Sequence, residues 1–200
     1  MIGKSLKNPY RNITRIFLIT ILFFSNGPNE IKSVQQTKIL FDFVNKGKFG
    51  RWMVVNDGVM GGISRSKFSF HPEGHLIFEG KVSTDFGGGF ASIRSDYGNL
   101  KIGNYQGLIL KIKGDGKTYQ FRCRMGNEYY QVAYRNYMSS QKDEWNEVRL
   151  PFREFVPTYR GRILKGLPSL DSNEIRWFGI MISDKQIGNF HLEIDWIGVY

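Results

Sequence analysis

The stretch W-M-V-V-N-D-G-V-M-G-G-I-S, residues 52–64, passes from an apolar run to a glycine-rich loop within a few residues. The short side chains of Asn56 and Asp57 form hydrogen bonds with nearby backbone groups in tight turns, and glycines such as Gly61 adopt backbone angles that other residues avoid. The sequence therefore predicts a strand that ends in a sharply bent loop. We interpret this loop as the corner around which the domain is built.

Val59 and Met60 are apolar residues inside this loop, where polar side chains are usual. Two interpretations follow from their chemistry. They fold under the loop as a plug, because apolar side chains are buried by default, or they face a binding partner, because loops carry function more often than other elements do. The sequence leaves both interpretations open.

The rest of the chain alternates apolar and polar residues from Ile39 onwards, with Gly, Asn, Asp or Pro at intervals of about 8–12 residues. Aromatic residues make up 15% of the chain, which favours strands over helices. We therefore predict an all-β, antiparallel sandwich in residues 39–200. The predicted strands cover residues 39–43, 52–55, 64–70, 75–82, 89–94, 108–113, 118–125, 129–137, 146–150, 175–183 and 190–199.

Residues 1–38 are predicted to form an N-terminal signal or anchor segment followed by a linker. They contain six basic residues and one acidic residue, a net charge of +5 out of +10 for the whole chain. The apolar block at 16–24 follows a basic region, as in a secretory signal. It is shorter than the roughly 20 residues that span a bilayer. We expect an exported protein, or one anchored near the membrane of a bacterial envelope. A mitochondrial location is the alternative.

Candidate catalytic groups are few. His71 and His75 flank a Pro-Glu-Gly turn that predicts a hairpin, so their side chains are expected in solvent. His191, Glu193 and Asp195 share one face of a strand and offer metal ligands, but such neighbours lie about 6–7 Å apart. We favour a polar outer face for them. The sequence contains no hydrolase or zinc-site motif, and we expect no catalytic residue, no metal and no cofactor.

The sequence also predicts the local structure of three further stretches. Gly114-Asp115-Gly116 predicts the turn of a second hairpin, and the strand expected after it argues against a phosphate-binding loop. Cys123 alternates with apolar residues and is expected in the core. Residues 153–162 are predicted to be a basic, irregular surface segment with a short helical turn near Phe155.

Arg122 and Arg124 alternate with the apolar residues around Cys123 and combine charge with nearby tyrosines, as proteins that bind single-stranded nucleic acid do. The net charge outside residues 1–38 is only +5, so nucleic acid is not the expected partner. Trp145 and Tyr159 are aromatic residues available to stack on sugar rings.

Five blocks of sequence, taken in order, resemble the complex I intermediate-associated protein 30 family: residues 52–64, 78–82 with 87–94, 113–122, 145–155 and 184–197. The resemblance runs from about residue 40 to residue 200. It implies a galactose-binding-like jelly roll and a chaperone-like role in assembling the membrane-bound NADH:ubiquinone oxidoreductase, with no catalytic residues. The expected partners are protein subunits of that complex. The alternative is an exported module that binds carbohydrate or another small ligand.

The candidate binding or structural loop gathers at one end of the predicted sandwich. We expect Asp57 to lie beside residues 87–90 and beside the turn at 114–116. The candidate residues are Asn56, Asp57, Met60, Gly61, Gly62, Phe90, Arg94 and Asp115.

Overall fold

The computed structural model describes residues 36–44, 51–96, 100–126 and 131–200. These residues belong to one compact unit, Gln35–Tyr200. The predicted signal or anchor segment lies outside the described residues up to position 35, so its role remains a prediction. Within the described ranges, no helix has the length and hydrophobicity needed to cross a membrane.

The described chain forms thirteen strands and four short 3₁₀ turns, which confirms the all-β prediction. The turns are Asp57–Met60, Asp85–Gly87, Phe152–Glu154 and Ser172–Glu174. The strands are β1 (Lys38–Asp42), β2 (Arg51–Val54), β3 (Arg65–Phe70), β4 (Leu76–Val82), β5 (Ala91–Asp96), β6 (Gly107–Gly114), β7 (Thr118–Met125), β8 (Ala133–Ser139), β9 (Asn146–Pro151), β10 (Val156–Tyr159), β11 (Arg162–Ile163), β12 (Ile175–Ile182) and β13 (Gly188–Val199).

The strands form two antiparallel sheets, which we call the first and second sheets. The first has the order β3-β4-β13-β6-β9, with β1 also paired to β13. The second has the order β11-β10-β8-β7-β12-β5-β2. Neighbouring strands are mostly distant in sequence, as in a jelly roll, so the fold brings remote loops together at its edges.

The core lies between the inner faces of the two sheets. Phe78 and Leu192 contribute from the first sheet, and Phe121 and Phe178 contribute from the second. The rings of Phe121 and Phe178 lie 5.3 Å apart. Cys123 is completely buried in the same core, as its alternation with apolar residues predicted. The period-two pattern places the opposite side chains of each strand on an outer face.

One predicted hairpin is confirmed and the other is wrong. The turn at 71–75 joins the paired strands β3 and β4, and Gly74 adopts a positive φ of 88° there. Gly114-Asp115-Gly116 instead joins β6 of the first sheet to β7 of the second. The prediction failed because an Asp-Gly pair specifies the local bend and not the sheet to which the next strand belongs.

The segment at 153–162 is also more regular than predicted. The expected short helical turn near Phe155 is confirmed as a 3₁₀ turn at Phe152–Glu154 that ends directly before Phe155, and β10 then pairs with β8. Pro157 lies inside β10, and proline within a short apolar run normally argues against a strand. The strand forms because β10 lies near the edge of the second sheet, where pairing with β8 outweighs this local preference.

Candidate functional site

The carboxylate of Asp57 is the centre of the loop that opens the sequence. Asp57 is fully buried. Its Oδ1 accepts a hydrogen bond from the backbone N–H of Ser64 at 2.9 Å, and its Oδ2 accepts from the N–H groups of Gly89 at 2.7 Å and Phe90 at 3.2 Å. The Ser64 hydroxyl also donates to Oδ2. The expected position of Asp57 beside residues 87–90 is therefore confirmed.

These hydrogen bonds determine the protonation state of the buried carboxyl. Burial opposes ionisation of Asp57, but the hydrogen bonds from Ser64, Gly89 and Phe90 outweigh this effect and hold its pKa below the ordinary value. Asp57 is therefore an ionised side chain that links the loop after β2 to the loop before β5.

Two glycines make room for this carboxylate. A Cβ atom at Gly62 would lie 2.5 Å from Cγ of Asp57, and a Cβ atom at Gly88 would lie 2.6 Å from its Oδ2. Either contact is closer than real atoms permit, so the glycines are needed for space. Gly61 has a positive φ of 92°, which explains its place in the same loop.

Asn56 makes a second link beside Asp57. Its Oδ1 accepts hydrogen bonds from the Ser66 hydroxyl at 2.7 Å and from the backbone N–H of Ser92 at 3.3 Å. Ser66 belongs to β3 and Ser92 to β5, so Asn56 connects the two sheets. Asn56, Asp57, Gly61 and Gly62 thus have structural roles in one corner.

Val59 and Met60 are exposed, and the plug interpretation is wrong. Their relative exposures are 74% and 57%. The buried Asp57 occupies the space beneath the turn, and the two apolar side chains consequently face solvent. Phe86, on the adjoining loop, is 77% exposed. A Cβ atom at Gly61 would lie 3.8 Å from the carbonyl oxygen of Phe86, so the two loops are neighbours.

Phe86 is also held in an unusual backbone conformation, with φ 54° and ψ 32°. Such a left-handed conformation costs about 1–3 kcal/mol for a residue with a side chain. The Ser83 hydroxyl donates a hydrogen bond to Asp85, and the backbone N–H of Gly88 donates to the carbonyl of Asp85. These bonds fix the turn that exposes the Phe86 ring. We call Val59, Met60 and Phe86 the apolar loop patch.

A groove of about 760 Å³ runs from the apolar loop patch over the outer face of the second sheet. Met60 and Phe90 lie on its lining together with Arg94, so the fold brings three of the candidate residues together. Asp115 is not among the residues that line this groove. It accepts hydrogen bonds from the Tyr119 hydroxyl and from the backbone N–H of His191, and within the described ranges no hydrogen bond joins it to Asp57.

Arginines from three strands line the floor of this groove. Arg94 of β5 is opposite Gly179 of β12, and Gly179 is opposite Arg122 of β7. Arg122 in turn is opposite Arg135 of β8. Arg124, two residues after Arg122, lies on the same face. We call Arg94, Arg122, Arg124 and Arg135 the arginine row.

The arginine row carries little compensating negative charge. Among the described residues, Arg122 donates to the neutral acceptors Gln120 at 3.2 Å and Thr158 at 3.3 Å, and no member forms a salt bridge. Burial, followed by repulsion from the charges of Arg124, Arg94 and Arg135, lowers the pKa of Arg122 to about 10. Burial also lowers the pKa values of Arg94 and Arg124.

The outer face of the first sheet has balanced charges instead. Glu193 pairs with Lys113 at 3.0 Å and with His75 at 2.8 Å, and Asp195 pairs with Lys111 at 3.0 Å. His191 contacts Glu193 at 3.2 Å. The prediction of a polar outer face for His191, Glu193 and Asp195 is confirmed, because lysines and His75 occupy the carboxylates.

His75 departs from its prediction. Its side chain is buried, since it packs between the turn and β13 rather than extending into solvent. His71, Glu73 and His75 have ligand atoms within 4.8 Å of one another. The rings of His71 and His75 are stacked 4.3 Å apart at an interplanar angle of 15°. A metal ion lies in the plane of each ligating ring, so these nearly parallel rings do not converge on one ion.

The two aromatic residues proposed for sugar stacking are on different sheets. Trp145 packs at the first sheet, with Lys111 and Lys113 over its ring at 5.6 and 5.1 Å. Tyr159 lies in the groove of the second sheet. They do not form one stacking platform.

Sequence reasoning identified Arg94 but did not include Arg122, Arg124 or Arg135 among the candidate residues. The available signal was the alternation of Arg122 and Arg124 with the core residue Cys123. It shows only that they share a face of one strand. The pairing of β5, β12, β7 and β8 brings the arginines together, and that pairing is not local in sequence.

Comparison with known proteins supports a family assignment. Residues 41–194 match the family described as Complex I intermediate-associated protein 30. The protein named "Complex I intermediate-associated protein 30, mitochondrial" from Mus musculus is 27% identical over 188 residues, which cover 84% of this chain and 57% of the mouse protein. The protein of the same name from Drosophila melanogaster is 24% identical, covering 88% and 67% of the two chains. This chain thus spans little more than half of its mouse relative.

A yeast relative and solved structures extend the comparison. An uncharacterised protein of Schizosaccharomyces pombe is 32% identical over 163 residues, which cover 70% of this chain and 74% of the yeast protein. A family 11 carbohydrate-binding module of a Clostridium thermocellum cellulase superposes with a TM-score of 0.62 at 16% identity, covering 82% of this chain and 94% of the module. An agarase superposes with a TM-score of 0.58 at 10% identity, covering 82% and 24%. These structures establish the similarity of fold.

Proposed function

Because this chain belongs to the complex I intermediate-associated protein 30 family, we propose that it is a non-enzymatic, chaperone-like assembly factor. Its proposed partners are protein subunits of the membrane-bound NADH:ubiquinone oxidoreductase. The names of the mouse and fly relatives support this role, because both proteins are described as associated with complex I intermediates.

The observation that carries the proposal is the apolar loop patch. Val59, Met60 and Phe86 are each more than half exposed, and they lie on two loops joined by the Asp57 carboxylate. Exposed apolar side chains cost free energy in water, and a backbone that holds Phe86 outward at φ 54° adds strain. A protein surface that buries these side chains would recover the free energy of their exposure to water, while the backbone strain holds Phe86 in position for that contact.

The test uses variants of the patch in the full-length chain. We expect the wild-type protein to co-purify with partly assembled NADH:ubiquinone oxidoreductase from its own membranes, identified by the subunits of that complex. Met60→Asp and Phe86→Asp should each reduce the recovered subunits at least about tenfold, because a buried charge would replace an apolar contact. Equal folding is checked by thermal denaturation.

Ile163→Asp is the matched control. Ile163 lies on β11 and is 57% exposed, the same exposure as Met60, but it is outside the patch. This variant should retain the subunits. If Met60→Asp and Phe86→Asp recover as much of the complex as Ile163→Asp does, the patch is not the docking surface.

A second candidate function is binding of a carbohydrate or another small ligand. The groove of about 760 Å³ favours it, because the partly exposed aromatic ring of Tyr159 lies on its lining. Ring stacking and hydrogen bonding are the contacts that sugars use. A glycan array and a search for a ligand-induced rise in melting temperature test this function. A negative result in both would exclude it.

The cellular compartment of the protein would also help to distinguish the two proposed functions. The relatives from mouse, fly and worm are named mitochondrial, which supports the mitochondrial alternative for this chain. Export to a bacterial envelope, or anchorage there, remains a prediction from residues 1–38 alone. N-terminal sequencing of the protein from fractionated cells would identify both the compartment and any cleavage site.

A further inference from the structure

Three members of the arginine row line a smaller pocket at the second sheet. This pocket has a volume of about 270 Å³ and is lined by Arg94, Arg122 and Arg124, with Gly179 at its base. No Asp or Glu lines it. Three arginines therefore line one partly open pocket that has no acidic side chain in its lining.

Gly179 keeps the base of the pocket open. It is directly opposite Arg94 on one side and Arg122 on the other. A Cβ atom at this position would lie 3.5 Å from Cγ of Arg94 and 3.9 Å from Cβ of Arg122. A larger side chain would fill the space between the two arginines, and glycine leaves it available to a ligand.

The unpaired charges need a counter-charge. The guanidinium of Arg122 donates to neutral acceptors, and burial, followed by repulsion from neighbouring arginines and only partly offset by the charge of Asp184, lowers its pKa. Guanidinium groups pair with phosphate through parallel, charge-assisted hydrogen bonds. A dianion neutralises more of three adjacent cations than a single carboxylate does.

We propose that Arg94, Arg122 and Arg124 form a binding site over Gly179 for the phosphate group of a small phosphate ester, of the size of a sugar phosphate or a nucleotide. The remainder of the ligand extends into the larger groove, where Tyr159 offers a ring face. The phosphate pocket itself contains no residue of the apolar loop patch, whereas Val59 and Met60 line the larger groove that receives the rest of the ligand.

Binding is measured by isothermal titration calorimetry and by thermal shift on the full chain. The probes are inorganic phosphate, glucose 6-phosphate and adenosine monophosphate, with glucose and adenosine as uncharged counterparts. We expect the phosphorylated probes to bind, the uncharged ones to bind at least about tenfold more weakly, and affinity to fall as salt increases. Comparison of glucose 6-phosphate with adenosine monophosphate distinguishes the two sources of the phosphate.

Three variants test the assignment of residues. Arg94→Gln and Arg124→Gln should each lower the affinity for the phosphate-containing probes at least about tenfold, because each removes a charge-assisted hydrogen bond. Gly179→Val should lower the affinity for these probes by a similar factor, because its side chain would fill the space between Arg94 and Arg122. Arg153→Gln is the control, since it removes the same charge from an exposed 3₁₀ turn outside the pocket.

Several outcomes would overturn the proposal. One is that inorganic phosphate, glucose 6-phosphate and adenosine monophosphate all fail to bind. Another is an equal loss of affinity in Arg153→Gln, which would indicate general charge attraction. Equal binding of glucose and glucose 6-phosphate would identify a neutral saccharide groove, and binding only to an acidic peptide would identify a protein-docking surface. The assembly-factor proposal is tested separately, because binding of inorganic phosphate uses only the smaller pocket, whose lining contains neither Met60 nor Phe86.

Discussion

The carboxylate of Asp57 accepts a hydrogen bond from the backbone N–H of Gly89 at 2.7 Å, across a separation of 32 residues in the chain. This bond joins the loop that follows β2 to the loop that precedes β5. It holds the exposed side chains of Met60 and Phe86 on neighbouring loops. A buried charge thereby supports an apolar surface.

Asp57→Asn should lower the free energy of unfolding by about 2–4 kcal/mol at pH 7, because an amide NH₂ group in place of Oδ2 cannot accept the hydrogen bonds from the Ser64 hydroxyl and from the backbone N–H groups of Gly89 and Phe90. Urea denaturation measures this change. Asp143→Asn is the control, since Asp143 is exposed, and its effect should stay within about 0.5 kcal/mol. Equal stability of the two variants would contradict the role of Asp57.

The same carboxylate predicts a dependence on pH. Its pKa is lower in the folded protein than the ordinary value of 3.8. The ionised group therefore contributes its full stability above about pH 4–5, and this contribution is lost as pH falls through the folded-state pKa. The difference in stability between the wild type and Asp57→Asn should decrease between about pH 5 and pH 2. A constant difference would exclude this linkage.

Gly62→Ala should destabilise the fold by about 1–3 kcal/mol, because its methyl group would lie 2.5 Å from the Asp57 carboxyl carbon. Gly58→Ala is the matched substitution in the same loop, and a Cβ atom there has nothing within 4 Å. Thermal denaturation should show a lower melting temperature for Gly62→Ala alone. Equal melting temperatures would mean that the short distance between position 62 and the Asp57 carboxyl group does not require a glycine.

His75 should titrate below pH 6.5 in the folded protein. Burial lowers its pKa, and the charge of Glu193 opposes this effect without reversing it. The folded state thus binds the proton less tightly than the unfolded state, so the stability due to His75 is complete above about pH 6.5 and decreases as pH falls. NMR titration measures the pKa of the imidazole ring, and His75→Gln is used to assign its signal. A midpoint above 6.5 would contradict the prediction.

Cys123 should not react with a thiol reagent in the native protein. It is completely buried, and burial raises the pKa of its thiol, so little thiolate forms. Ellman's reagent should label it only in denaturing guanidinium chloride. Ser139→Cys places a second thiol at an exposed position of β8 and should react in the native state. Rapid labelling of wild-type protein would show that the core opens.

The prediction for β7, which depended on neighbouring residues in the sequence, was confirmed, whereas the predictions for the turn at 114–116 and for His75, which depended on contacts between distant strands, were wrong. The alternation around Cys123 predicted β7 with its observed bounds, Thr118–Met125, because adjacent side chains on a strand face opposite sides. Gly114-Asp115-Gly116 was assigned to a hairpin and is a crossing between sheets. The side chain of His75 was expected in solvent, but the pairing of β4 with β13 places it against Glu193.

The sequence by itself determined the strands, the core faces and the bent loop at Asp57, because each depends on neighbours within a few residues. It also determined the family, through five ordered blocks. Only the tertiary structure decided that Val59 and Met60 face solvent, since a buried Asp57 occupies the space beneath them. It also decided that Arg94 and Arg122 face each other across Gly179, because strands from distant parts of the chain meet only when the second sheet forms.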